Sequence, residues 1–227
     1  MRVPIRQADA VTATSDGRQT DSVEGLRSTF GIRARLLIPG RGDPIRDGAV
    51  VVTGSTISWA GAYAELPAEY ASVSFTSVPV VMPGMWDVHT HFMGVSILGS
   101  GIEDTLRQFL PGRGTIIGAI TVDDFRATLE AGFTSVRELG GYAGDVSVAV
   151  ELGRIPGPHV YSAFQVLSIT GGHGDQHDTP LETVLDACRH GSPFALCDGV
   201  EGCTRMVRQV IRRGAKVIKI CSTGGVL

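Results

Sequence analysis

The chain of 227 residues carries 20 Lys and Arg against 23 Asp and Glu, a net charge of −3, and a pI near 6.1. That balance leaves no basic footprint for nucleic acid or an anionic membrane, and no apolar run approaches the roughly 20 residues of a membrane helix. Hydrophobic residues are 43% of the chain and charged residues 19%, so a sizeable core in one or two domains is expected.

Residues 1–28 are polar and mixed in charge, with Arg2, Arg6, Asp9, Asp16 and Asp21. They lack the apolar core of a secretory signal, and their acids argue against a transit peptide, so segment 1–30 is expected to be disordered and the protein cytoplasmic. The four cysteines, Cys188, Cys197, Cys203 and Cys221, form no CxxC pair and read as free thiols in a reducing compartment. Segment 31–81 holds short strand-like runs, "IRARLLIPG", "GAVVVTGSTISWAG" and "VSFTSVPVVMPG", punctuated by Gly, Pro and Asp. They predict a small β module of antiparallel strands.

After Pro83 the rhythm becomes helix, glycine, apolar strand. In "TVDDFRATLEAGFTSVREL", Thr121 and Asp124 resemble a capping box, Val122, Phe125 and Leu129 share a helical face, and Gly132 stands at the helix end. A weaker unit follows in "GDVSVAVELGRIPGPHVYSAF". A stronger one lies in "GVEGCTRMVRQVIRRGAKVIKICSTGG", with a stripe of Val200, Cys203, Val207 and Val210–Ile211 and a stop at Gly214. The pattern predicts parallel α/β structure over 82–227, with strand ends near His91, Glu138, Phe164 and Cys221. Four strands make half of a closed (β/α)8 TIM barrel, which needs roughly 250 residues.

"VMPGMWDVHTHF" (81–92) ends an apolar run with His89 and His91 two residues apart. Residues i and i+2 of a strand share a face, and burying two unpartnered imidazoles there costs free energy. Metal ligation is therefore favoured over a structural role. Asp87 is expected on the same face, either supporting the ligands or holding backbone. In "AKVIKIC", Lys219 alternates with apolar neighbours in mid-strand. Desolvation favours its neutral amine, which can add CO2 to give a carbamate able to bridge two metals; the other reading is a lysine snorkelling to the barrel mouth. "TGGHGDQHD" (170–178) gathers His173, Asp175, His177 and Asp178 with no strong ligand spacing. It reads as a polar loop over the mouth, with His173 as a substrate-facing candidate. Arg137 and Glu138 are expected to form an internal ion pair, Cys221 a small buried hydrophobe, and "RRGAK" (212–216) a solvated helix end.

Taken together, "VMPGMWDVHTHF" resembles the first-strand motif of the metal-dependent amidohydrolase superfamily, and "KVIKICSTGG" its fourth-strand segment. "LLIPG", "GHGD", "DGVE" and "QVIRRGAKVIKI…GG" are similar to the branch of Xaa-Pro dipeptidase-like, arginine carboxypeptidase-like and ochratoxinase-like enzymes, from about residue 33 to the last residue. The resemblance implies a β module forming the N-terminal part of a composite β-sandwich, followed by the first half of the barrel. It implies two Zn2+ per complete site, His89 and His91 on the more buried one, and Lys219, as carboxylysine, bridging both. A bridging water, its pKa lowered by metal, would attack the amide of a small-molecule or dipeptide substrate. Two further histidines and a proton-shuttle aspartate are expected beyond residue 227, so the catalytic acid-base is unassigned. The chain is expected to be a truncated half, poorly active and poorly soluble alone, with a homo-oligomer possible at full length. The rivals are an inactive fragment that needs its missing half, and an open α/β binding protein using "STGG" (222–225) as an anion loop, a reading weakened by the lack of a following helix.

Overall fold

The computed structural model describes residues 28–93 and 113–224. The expected disorder of 1–30 therefore falls almost wholly outside the described residues. The chain divides into two compact units on either side of the Pro83–Gly84 bond.

The first unit is a four-stranded sheet of β1 (Thr29–Leu37), β2 (Ile45–Thr53), β3 (Thr56–Ala62) and β4 (Phe75–Val81), in the order β3-β2-β1-β4. The short turn at Gly54–Ser55 makes β2 and β3 an antiparallel hairpin, and β1 and β2 are also antiparallel. β4 departs from the expected antiparallel pattern by pairing parallel to β1. Residues 63–74, with two short 3-10 turns, carry the chain across the sheet, which is the crossover a parallel neighbour requires. Pro79 is tolerated because β4 is an edge strand. Leu37, Val50 and Val52 form the core, with Ile45 and Val81 packed against them.

The second unit is mixed α/β, and every strand pairing in it is parallel. In chain order it holds β5 (Met85–Thr90), α1 (Arg113–Glu130), β6 (Phe133–Glu138), α2 (Ala143–Glu151), β7 (His159–Ser162), β8 (Val166–Ser168), α3 (Leu181–Arg189), β9 (Phe194–Leu196), α4 (Gly199–Arg213) and β10 (Lys219–Cys221). The strands form two three-membered sheets, β5-β6-β7 and β10-β8-β9. β7 and β8, in different sheets, are separated by a γ-turn. Gln165 N donates to Ala163 O at 2.7 Å around Phe164, whose φ is +60°, an uncommon and strained conformation for a side-chain-bearing residue. Lys216 N donates to Ser162 O, so the segment leading into β10 already runs beside β7.

Several elements differ from the sequence reading. α1 begins at Arg113, so Thr121 is no cap: it is fully buried in mid-helix and its hydroxyl donates to Ile117 O at 2.9 Å. A threonine bonding back to i−4 imitates a cap in sequence because the same hydroxyl chemistry serves both positions. The buried stripe of α4 runs through Cys203, Met206, Val207 and Val210, against Leu167, Ala195, Cys197 and Ile218. Val200 and Ile211 flank that stripe and are exposed. Arg213 is not simply solvated: it donates to Asp145 of α2 and stacks 4.6 Å over the Phe164 ring. α3 and β9 form an additional helix–strand unit between the third and fourth expected strands. A second core joins Phe92, Phe125, Val136 and Ala143, with the Phe92 and Phe125 rings edge to face at 5.3 Å. All four cysteines are free.

Candidate metal centre

β5 runs parallel to β6, but its register slips. Asp87 pairs with Val136 and Thr90 with Glu138, three steps on one strand against two on the other. Such a bulge re-aims side chains at a strand end. Strict alternation is therefore not what brings the histidines together, yet His89 Nε2 and His91 Nε2 lie 3.2 Å apart. Asp87 Oδ1 accepts from the His89 backbone N–H at 3.1 Å, so of its two expected roles Asp87 takes the backbone one.

The His91 tautomer follows from its neighbour. Nδ1 lies 2.9 Å from the Gly140 carbonyl oxygen, which can only accept, so Nδ1 carries the proton and Nε2 presents a lone pair. His89 Nε2 then donates to it. Two imidazole nitrogens on one tetrahedral zinc, at Zn–N of 2.0–2.1 Å, stand about 3.3 Å apart. The observed 3.2 Å fits that geometry. Desolvation lowers the His89 pKa, and the charges of His91, Lys219 and Arg137 lower it further, against Asp87.

Lys219 is half-buried, opposite Val166 of β8, and Cys221, opposite Ser168, is half-buried too. Ile218, one step from Lys219, packs under α4, which leaves Lys219 on the other sheet face. The expected Arg137–Glu138 ion pair does not form, because adjacent residues of a strand point to opposite faces. Arg137 Nε donates to Val88 O at 2.6 Å, while Glu138 is fully buried. Glu138 accepts from Ser162 Oγ at 2.5 Å and from the Ala143 and Gly144 amides at 2.8 and 3.2 Å. Burial holds its carboxyl above the usual range, and those donors together with the Phe92 backbone offset that only in part. The Gly140–Gly141 pair after β6 was the signal for this arrangement. A Cβ on Gly140 would sit 2.5 Å from Val166 Cγ2, and one on Gly141 would meet Glu138 Oε1 and Phe92 O.

His173 and His177 are exposed in the 170–178 loop. Two acids here are engaged: Asp175 Oδ2 accepts from Gly171 N at 2.7 Å, and Asp198 accepts from Thr170 N and Oγ1 at 3.0 and 2.6 Å. Among the described residues no group of three or more His, Cys, Asp or Glu side chains is arranged to hold a metal ion.

The family model described as "Amidohydrolase family" matches residues 80–227. An ochratoxinase of Aspergillus niger is 40% identical over 210 residues, covering 86% of this chain and 42% of the relative. The crystal structure of A. niger ochratoxinase superposes with a TM-score of 0.79 at 39% identity, covering 87% of this chain and 47% of that one. The structure of a prolidase complexed with N-methylphosphonate-L-proline gives a TM-score of 0.70 at 29% identity, covering 88% and 48%. The chain spans less than half the length of these relatives.

Proposed function

From a chain that belongs to the amidohydrolase family, we propose a part of a metal-dependent hydrolase that cleaves amide or peptide bonds, as a carboxypeptidase or imidodipeptidase does. The carrying observation is the pair of Nε2 atoms 3.2 Å apart at the end of β5. His89 and His91 are the residues that would hold one zinc, and Lys219, as its carbamate, would bridge to a second. Bound zinc polarises an amide carbonyl and makes water nucleophilic at neutral pH. The chain's own residues orient the ligands: Gly140 O holds the His91 ring, Asp87 fixes the His89 backbone, and Arg137 ties the end of β6 to Val88 of β5. His173, exposed after β8, is proposed to face substrate.

The α/β unit is proposed as the first four βα units of a (β/α)8 barrel, and the 29–81 sheet as part of a β-sandwich. The matched relatives are more than twice as long as the matched segment, so the three ligands are proposed to be part of a larger set. The test is to measure the zinc content of the purified chain and its hydrolysis of carboxybenzoyl-dipeptides. Zinc that is lost in His89→Ala, with little turnover by this chain alone, is expected. Zinc retained in full by His89→Ala and His91→Ala would sink the proposal, and normal turnover would sink the view that further ligands are needed. A mass increase of one CO2 on Lys219 in native mass spectra checks the carbamate.

A further inference from the structure

His91 can offer its Nε2 lone pair to a metal only if its proton stays on Nδ1, and that depends on where the Gly140 carbonyl points. Gly140 follows β6 by two residues and has φ of +123°. It lies in a turn, 139–142, held at several points. Leu139 N donates to Thr90 O at 3.0 Å, and Tyr142 N to Phe92 O at 2.8 Å, so the turn is tied to both residues flanking His91. Gly141 N donates to Phe164 O at 3.3 Å. The centre of this arrangement is the Glu138 carboxylate, which spans the turn: it starts on the last residue of β6 and binds Ala143 N and Gly144 N at the start of α2. The Ser162 hydroxyl closes the set, donating to Glu138 Oε2 and accepting from Phe164 N at 2.8 Å. Gly141 has room for no side chain because Glu138 Oε1 and the Phe92 backbone occupy the space.

We propose that Glu138 is a positioning residue for the metal ligand His91: through the 139–142 turn it aims the Gly140 carbonyl, which fixes His91 as the Nδ1–H tautomer with Nε2 free. The proposal rests on the reading of His91 as a ligand, but its immediate consequence, the tautomer, exists without metal. A buried carboxylate with three donors at a helix N-terminus is stable there, since the helix dipole favours negative charge. Replacing one carboxylate oxygen by NH2 sets donor against donor: an amide nitrogen at the Oε1 position faces Ala143 N–H, and one at the Oε2 position faces Gly144 N–H and the Ser162 hydroxyl. The turn must shift to relieve either arrangement, and the Gly140 carbonyl moves with it.

The experiment labels the histidines of the 227-residue chain with 15N and reads each ring's tautomer from long-range 1H–15N correlations, for wild type, Glu138→Gln and Ser162→Ala. Zinc affinity is measured in parallel by competition with a chromogenic chelator. Wild-type His91 is expected as Nδ1–H. In Glu138→Gln it should become a tautomer mixture, with zinc affinity down roughly 10–100-fold, the usual cost of removing support behind a ligand. Ser162→Ala should move both readouts the same way by less, and it decides the matter if Glu138→Gln does not fold. The exposed His159 and His173 are internal controls and should not change, which separates positioning from general loosening. A wild-type His91 protonated on Nε2, or an unchanged His91 tautomer in the folded variants, overturns the inference. A tautomer that responds as expected in a chain that binds no zinc supports the positioning role and refutes the metal reading instead.

Discussion

Two stretches of the α/β unit are rich in histidine and acid, and they behave differently. Residues 87–91 hold Asp87, His89 and His91 at the end of a strand; residues 173–178 hold His173, Asp175, His177 and Asp178 in a loop. In the first, the imidazoles converge to 3.2 Å, and a carbonyl from the neighbouring strand's turn sets the tautomer of one of them. In the second, the histidines are exposed, and Asp175 is spent on the backbone of its own loop. Ligand-type residues in sequence are thus not sufficient. What distinguishes the first stretch is a strand end that brings two ring nitrogens together and a neighbouring carbonyl that holds one ring in place.

The largest expected effect tests this directly. His91→Ala should abolish measurable zinc binding, a larger loss than the roughly 10–100-fold that removing a supporting partner costs, followed by chelator competition. Next comes the packing beside the site. Phe92 follows His91 and meets the fully buried Phe125 edge to face. Phe125→Ala should cost about 3–5 kcal/mol in urea unfolding and weaken zinc binding as well.

The loop answers to a different group. Thr170, chiefly through its hydroxyl and also through its amide, holds the Asp198 carboxyl below its ordinary range. A depressed carboxyl stabilises the fold above its unfolded value of about 3.9, and that contribution is lost as pH falls through the lower folded value. Protection of the Thr170 amide against hydrogen exchange should therefore hold from about pH 6 to about pH 4 and decline below it. Protection that stays flat below about pH 4 in wild type, or is identical in Asp198→Asn, contradicts the assignment. Cys197 offers a smaller effect: burial, and then the neighbouring Cys203 at 3.4 Å, push its thiol up to about 12. It should resist iodoacetamide near pH 8, seen as an unmodified Cys197 peptide, since the thiolate is the reactive form. The smallest effect expected is none: His173→Ala with His177→Ala should leave zinc affinity unchanged.

Much of this was legible in the sequence, for identifiable reasons. Strand ends at His91, Glu138 and Cys221 showed because parallel strands are apolar runs that stop abruptly at a loop, and Gly132 and Gly214 stop their helices as read. The breaks were hidden. The bulge in β5 and the γ-turn at Phe164 are set by cross-strand pairing and leave no local composition signal. β9 left little signal because the short run "FALC" gives little periodicity to detect; α3 did carry one, a stripe of Val184, Ala187 and Cys188 that the fold buries. Glu138 was read as an ion-pair partner because sequence shows Arg137 beside it. Its actual partners, Ser162 and the first amides of α2, are brought to it only by the fold.

The most direct test of the central claim is anomalous scattering at the zinc edge from crystals of the protein grown with zinc. The account predicts a peak about 2.0–2.1 Å from both His89 Nε2 and His91 Nε2, with the Lys219 head group turned toward it. Stoichiometric zinc bound elsewhere, with those two nitrogens still facing each other metal-free, would contradict it.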